Sequence, residues 1–259
     1  MTTLNVQTRI GWTADDAATA VLSIRAAAVS GQSLLDEHLE VDGAEVEEVE
    51  RRPLGARPLR LHAAPGPVSL TYTATVQVEQ PVSVSDVPLP TLRGLDPGLW
   101  TWTLPSRYCP SDVLGPTAEH LFGGAARTGA LLEQVRHWVQ TNILYAIGTS
   151  DVHTAADETM LRRTGVCRDL AHLTATLLRG LDVPARLVGV YAPDLQPPDL
   201  HAVVEAHDGR SWRLLDATGM APVDTLVRTA TGRDAADIAW GSTAGPIRLD
   251  HLDVAVERV

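Results

Sequence analysis

The chain has 259 residues and a formal net charge of −11, with 44% hydrophobic and 20% charged residues. That balance suits a globular protein able to bury a core without staples, and its acidity argues against a phosphate-backbone partner. No apolar run is long enough to span a bilayer, so no membrane partner is expected. The start Met1-Thr2-Thr3-Leu4-Asn5 lacks the basic and apolar regions of a secretory leader, and two distant cysteines make no disulfide framework. A reducing, cytoplasmic setting is the expectation.

Residues 1–98 read as strands forming a small antiparallel β-sandwich. Leu4, Val6, Thr8 and Ile10 alternate with polar neighbours, and Leu35, Leu39 and Val41 fit a second strand less cleanly. The clearest run is Val68 to Val78, where Val68, Leu70, Tyr72, Ala74, Val76 and Val78 share one face. The acidic run Glu45 to Glu50 reads as a solvated strand or loop, and Pro81 to about Gly98 as a linker.

Residues 99–259 read as a second, α+β unit. Leu104 to Pro110 is too proline-flanked for a helix. Arg107 and Tyr108 within it could line a cleft or anchor the seam between units, the seam being preferred. Cys109 reads as an inert structural thiol. Leu131, Leu132, Val135, Trp138, Val139 and Ile143 recur at helical spacing. Gln140, inside that helix, is a weak candidate hydrogen-bond donor. Thr154 to Asp157 resembles a capping box for a short helix running to Arg163 and ended by Gly165.

The chemistry concentrates after Gly165. Cys167 begins an amphipathic helix marked by Leu170, Leu173, Leu177 and Leu178 and stopped by Gly180. Free N–H groups and the helix dipole in that first turn favour a thiolate. His172 lies five positions on, about 140° around the helix at roughly 100° per residue, and reads as a packing or surface histidine. Arg168 and Asp169 are surface charges or a brace. An apolar central strand, Ala185 to Tyr191, and a loop, Pro193 to Leu200, follow. In that loop Asp199 reads as a strand initiator. His201 to Ala206 and Ser211 to Asp216 form a hairpin about the turn Asp208-Gly209. The hairpin would bring His201 to Asp216, giving a nucleophile, a base and an orienting carboxylate. Gly232 to Asp237 reads as a polar brace or a loop, and Leu249, Leu252, Val254 and Val256 as a last strand. No zinc, calcium or phosphate-loop spacing is present, so neither metal nor cofactor is expected.

The motif Gly165-Val166-Cys167-Arg168-Asp169, then His201-Ala202-Val203-Val204-Glu205 and Trp212…Asp216-Ala217-Thr218, resembles the transglutaminase-like superfamily, in particular a bacterial branch of candidate cysteine proteases. Leu104 to Cys109 and Gly232 to Asp237 resemble that branch too. The resemblance implies a papain-like α+β core, with Cys167 as nucleophile, His201 as base and Asp216 as orienter. It also suggests Tyr145 as a residue facing the nucleophile, either donating to an oxyanion or packed at a helix end. The expected activity is hydrolysis of a peptide or carboxamide bond in a peptide or protein substrate, through a thioester. Acyl transfer to an amine, or a non-catalytic peptide-binding module that retains the triad, are the alternatives.

Overall fold

Period-two alternation decides the first part of the chain. The computed structural model describes residues 1–49, 53–79 and 87–259. It has strands β1 (Thr2–Ala14), β2 (Ala18–Leu22), β3 (Gln32–Asp42), β4 (Ala44–Glu48), β5 (Leu59–Ala63) and β6 (Gly66–Val78). The inward residues of β1 and β6 are the alternating sets named above, all buried. The two strands pair antiparallel, with Val6 opposite Ala74. Leu35 of β3 is 57% exposed because the register slips between Leu34 and Asp36, so it lies off the inner face. In β4, Glu47 pairs with Arg60 and His62, and Glu48 with Arg25, as a solvated strand would. Glu50 and residues 81–86 of the expected linker lie outside the described residues.

The second part contains α1 (Ser111–Phe122), α2 (Ala130–Asn142), β7 (Leu144–Tyr145), α3 (Ala156–Arg162), β8 (Thr164–Gly165), α4 (Cys167–Gly180), β9 (Ala185–Tyr191), β10 (Leu200–His207), β11 (Trp212–Leu215), β12 (Val227–Gly232) and the single-turn α5 (Ala235–Ile238). Its antiparallel sheet has the order β11-β10-β9-β12. Helix α4 lies on one face of this sheet, where Leu173 and Leu177 share a core with Leu187, Val204 and Ala206. Val188, Val190 and Val203 point to the other face, which is closed by Ala221 and Leu226. Burial on both faces explains why β9 is almost continuously apolar.

The chain then turns back. Strand β13 (Gly241–Ala244) pairs with β2, and β14 (Ile247–Arg258) pairs with β1. The two sheets of the sandwich are therefore β14-β1-β6-β3 and β13-β2-β5-β4. A single cut at residue 98 separates the units only in part, because residues 241–258 complete both sandwich sheets. The alternation of Leu252, Val254 and Val256 foretells the last strand, but nothing local says which sheet it joins.

One helix has no counterpart in the sequence reading, and two further local expectations are corrected. Helix α1 is absent from the sequence-based pattern because Pro116 sits in its interior, where proline removes a helical hydrogen bond. Helix α3 is capped at Ala155, not by a Thr154 capping box, because Thr154 Oγ1 accepts from Asp151 N at 3.1 Å. Its end is the left-handed Arg163 (φ 59°), two residues before Gly165. The Arg107–Tyr108 pair is not at the seam: Tyr108 stacks on His172 at 5.1 Å, and Arg107 lies over the Tyr108 ring. The seam is instead held by Tyr191, fully buried, whose hydroxyl donates to Ile24 O at 2.7 Å and meets Thr8 Oγ1 at 2.6 Å.

Gly180 does more than end α4. A Cβ there would lie 3.0 Å from Gly115 Cα and 3.2 Å from Ala118 Cβ, so α1 and α4 cross backbone to backbone at this point. Gly180→Val is expected to lower stability by about 1–3 kcal/mol in urea denaturation. An unchanged midpoint would show that the crossing has slack.

Candidate active site

Cys167 is the first residue of α4, following the extended N-cap Val166. Two interactions fix this start. Strand β8 pairs parallel with β7, with Gly165 opposite Tyr145, and the flanking bonds are Leu144 N to Arg163 O at 2.8 Å and Ala146 N to Gly165 O at 2.9 Å. Asp169, fully buried, accepts from Val166 N at 2.9 Å and from Ser150 Oγ. Arg168 reaches Asp169 Oδ1 at 2.8 Å and Asp151 O at 2.6 Å. Of the two readings of Arg168 and Asp169, the brace is the one observed. Gly165 permits it, since a Cβ there would lie 2.7 Å from Asp169 Cβ.

His201 stands on β10 and Asp216 one residue past β11. Because Val204 faces Leu215, Asp216 is not directly across from His201. The turn after β11 closes the gap and brings His201 Nε2 to 3.3 Å from Asp216 Oδ2, with both side chains 2–3% exposed. This is an ion-pair distance, and the approach is off the line of a hydrogen bond. Nε2 faces the carboxylate, which leaves Nδ1 as the nitrogen for Cys167, and the thiol is near enough to favour the charged imidazole. Asp216 also accepts from Thr218 N at 2.8 Å, Thr218 Oγ1 at 2.7 Å and Ala221 N at 3.2 Å.

Burial by itself would depress the His201 pKa, but Asp216 and Cys167 outweigh it and hold the imidazole well above its ordinary range. Burial would likewise raise Asp216, yet the contacts with His201 and Thr218 keep it below the usual carboxylate value. Both directions favour imidazolium beside carboxylate.

Tyr145 lies in β7, not in a free loop, and its hydroxyl is close enough to Cys167 to feel its charge. Burial, reinforced by negative charge at Cys167, pushes the phenol up to about 12, so it remains a donor at neutral pH. Asp199 adds a smaller electrostatic push on the same hydroxyl. Asp199 Oδ1 also accepts from Leu200 N at 2.7 Å, as a strand initiator would. Gln140 is turned elsewhere: its Oε1 accepts from Arg136 at 2.8 Å, and its Nε2 fills the space of a Cβ on Gly219 (φ +68°).

The remaining candidates belong to the back of α4. Cys109 is fully buried, and burial pushes its thiol up to about 11. His172 is fully buried, pushed down to about 3 by desolvation, and its Nε2 accepts from Ala235 N at 3.1 Å. The Gly232 to Asp237 motif is a brace: Asp234 accepts from Ala236 N at 3.0 Å and Tyr108 N at 3.2 Å, while Arg179 donates to Arg233 O. Two residues at the site were given no role from the sequence, although Thr218 stands in the quoted motif. Thr218 is legible in retrospect as the hydroxyl of a short Asp–Thr turn. Ser150 carries no local signal, because its partner Asp169 is distant in sequence.

Residues 117–217 match the family described as the transglutaminase-like superfamily. The crystal structure of a candidate cysteine protease from Cytophaga hutchinsonii superposes with a TM-score of 0.95 at 34% identity, covering 100% of this chain and 91% of that one. An uncharacterised protein of Mycobacterium leprae is 29% identical over 130 residues, 46% of this chain and 46% of that protein. The chain thus spans about half the length of that relative. The periplasmic domain of TgpA from Pseudomonas aeruginosa aligns at 16% identity and a TM-score of only 0.40, over 85% of this chain and 91% of that one. Among the described residues no helix is long and apolar enough to cross a membrane.

The charge states carry a pH signature. His201 titrates above its usual value of about 6.5, so its stabilisation is complete below about pH 6.5 and is lost as pH rises through the raised value. Asp216 titrates below its usual value of about 3.9, so its stabilisation is complete above about pH 4 and is lost as pH falls through the lowered value. Asp216→Asn is therefore expected to lose roughly 3–5 kcal/mol in urea titrations at pH 5.5 and clearly less above about pH 10. A loss independent of pH would show that the pair is not ionised.

Proposed function

Because the chain belongs to the transglutaminase-like superfamily, we propose that it is a cysteine hydrolase cleaving peptide or carboxamide bonds through a Cys167 thioester. The observation that supports this most directly is the buried His201, set between the Cys167 thiol and Asp216. The chemistry then follows from position. Proton transfer from Cys167 to His201 yields a thiolate at a helix N-terminus, beside an imidazolium stabilised by Asp216. The thiolate attacks the substrate carbonyl carbon. The Cys167 N–H and the Tyr145 hydroxyl are the donors this mechanism assigns to the oxyanion. Collapse breaks the C–N bond, with the imidazolium proton passing to the leaving amine, and leaves a thioester. Neutral His201 next takes a proton from water, hydroxide adds to the thioester carbonyl, and the thiolate departs as the acid product forms.

Asp216 acts by orientation and charge. It holds Nε2, so that Nδ1 faces sulfur, and Thr218 holds Asp216 in turn. The loop Pro193 to Asp199 supplies one rim of the substrate cleft. Peptides or proteins are the partners this site would accept, and the two free cysteines fit a cytoplasmic location.

An activated peptide ester in single turnover is expected to acylate Cys167, read by mass spectrometry. Cys167→Ala should give no adduct, and His201→Ala should slow alkylation of Cys167 at pH 6. Tyr145→Phe should lower the acylation rate by about 10²-fold if it donates to the oxyanion. A labelled amine in the same experiment separates hydrolysis from transfer, and hydrolysis is expected to dominate. Labelling only at Cys109, or at neither cysteine, would sink the mechanism.

A further inference from the structure

The contact between His201 and Asp216 does not align itself. Nε2 and Oδ2 stand 3.3 Å apart and off the line of a hydrogen bond. The attraction is therefore mainly charge on charge, with little directional restoring force. His201 is fixed by strand β10, where it pairs with Val190 of β9. Asp216 has no such frame, because β11 ends at Leu215. Among the described residues, the other bonds its carboxylate accepts come from its own turn, from Thr218 N, Thr218 Oγ1 and Ala221 N. Met220 N bonds Thr218 Oγ1 within the same turn. These bonds shape the turn without fixing it to the rest of the protein. Ala217 and Ala221 seat it in the cores to either side, but apolar contact is non-directional.

The polar anchors come from α2. Arg136 donates through Nη1 to Asp216 O, a long contact at 3.5 Å. The same guanidinium donates to Glu133 Oε2 at 2.7 Å and to Gln140 Oε1 at 2.8 Å. With Oε1 so engaged, the Gln140 amide presents Nε2 to Gly219, 2.0 Å from the place a Cβ would take. Gly219 has φ +68°, a left-handed conformation that glycine adopts without penalty. The turn is thus gripped at both ends, by Arg136 on the carbonyl of Asp216 and by Gln140 against the backbone of Gly219. Arg136 and Gln140 stand four residues apart on α2, so they project from one face of the helix.

We propose that Arg136 and Gln140 are positioning residues, which clamp the turn 216–219 to α2 and so keep the Asp216 carboxylate opposite His201. The inference rests on the reading of His201 and Asp216 as base and orienting partner, and it gives neither α2 residue a contact with substrate.

The test follows the His201 imidazole by nuclear magnetic resonance as pH is raised, in the full chain carrying Cys167→Ala. With the thiol gone, Asp216 is the chief group holding the imidazolium. Gln140→Ala and Arg136→Ala are each expected to lower the His201 midpoint by about one pH unit, out of the roughly 1–3 units that an opposite charge at this range supplies. Arg136→Lys keeps the charge but not the forked reach. It should lower the midpoint as well, and it serves if Arg136→Ala fails to fold. Two controls separate positioning from loss of stability. Glu133→Ala removes one partner of Arg136 and leaves both contacts to the turn. Val139→Ala opens the core beneath α2. Neither should move the His201 midpoint, although Val139→Ala should lower the urea midpoint. Because the titration needs no substrate, its failure is distinct from a failure of Cys167 acylation in the hydrolase experiment. A His201 midpoint unmoved in either Gln140→Ala or Arg136→Ala, or moved as far by Val139→Ala, overturns the proposal.

Discussion

A helix buried along nearly its whole length decides where Cys167 points. Every residue of α4 from Asp169 to Arg179 is buried, so each polar group on it needs a partner inside the protein. Thr174 and Thr176 donate back to the carbonyls four residues earlier, at 2.8 and 2.7 Å. Arg179 binds Ala185 O, Leu104 O and Ser106 Oγ, and so ties the proline-flanked loop before α1 to the end of the helix. Asp169 does the same at the start, tying Ser150 and the Val166 N–H together. The helix can neither slide nor rotate without stripping these groups of partners. Its first residue is the part of α4 left accessible with free backbone N–H groups in reach.

The site inherits its charge pattern from that rigidity. His201 and Asp216 arrive on a different element, the β10–β11 hairpin, and they are as buried as the helix they face. Two ionisable groups in such a place are tolerable only if each stabilises the charged form of the other. The Thr218 hydroxyl and N–H, with the Ala221 N–H, satisfy the rest of the carboxylate. The same economy explains the contrast between the two thiols. Cys109 lies among carbonyls and buried side chains that cannot accept its proton usefully, whereas Cys167 meets an imidazole already primed to be cationic.

The sandwich and the helical unit are interlocked rather than strung in series. Tyr191, at the end of the central strand, reaches across to Thr8 and Ile24. Gln32 bonds both Ala27 O and Arg228 O, and accepts from Arg228 N at 2.8 Å. The final strands then complete both sandwich sheets. Unfolding either unit would therefore expose polar groups and apolar surface belonging to the other.

Local pattern in the sequence determined the strands of β1 and β6, the helices α2 and α4, and the hairpin carrying His201. Those features depend on neighbours within a few positions, where period, turn chemistry and helix-start preference act directly. Tertiary structure alone decided the rest, because the deciding partners are far apart in the chain. Helix α1 forms despite Pro116, since Gly115 meets Gly180 across the crossing. Asp169 is a brace because Ser150 and Val166 N are brought to it, and His172 is buried because Tyr108 stacks on it. Residues 241–258 belong to the sandwich because β1 and β2 each offered an unpaired edge, and an unpaired edge is a demand on backbone hydrogen bonding that only a strand from elsewhere could meet.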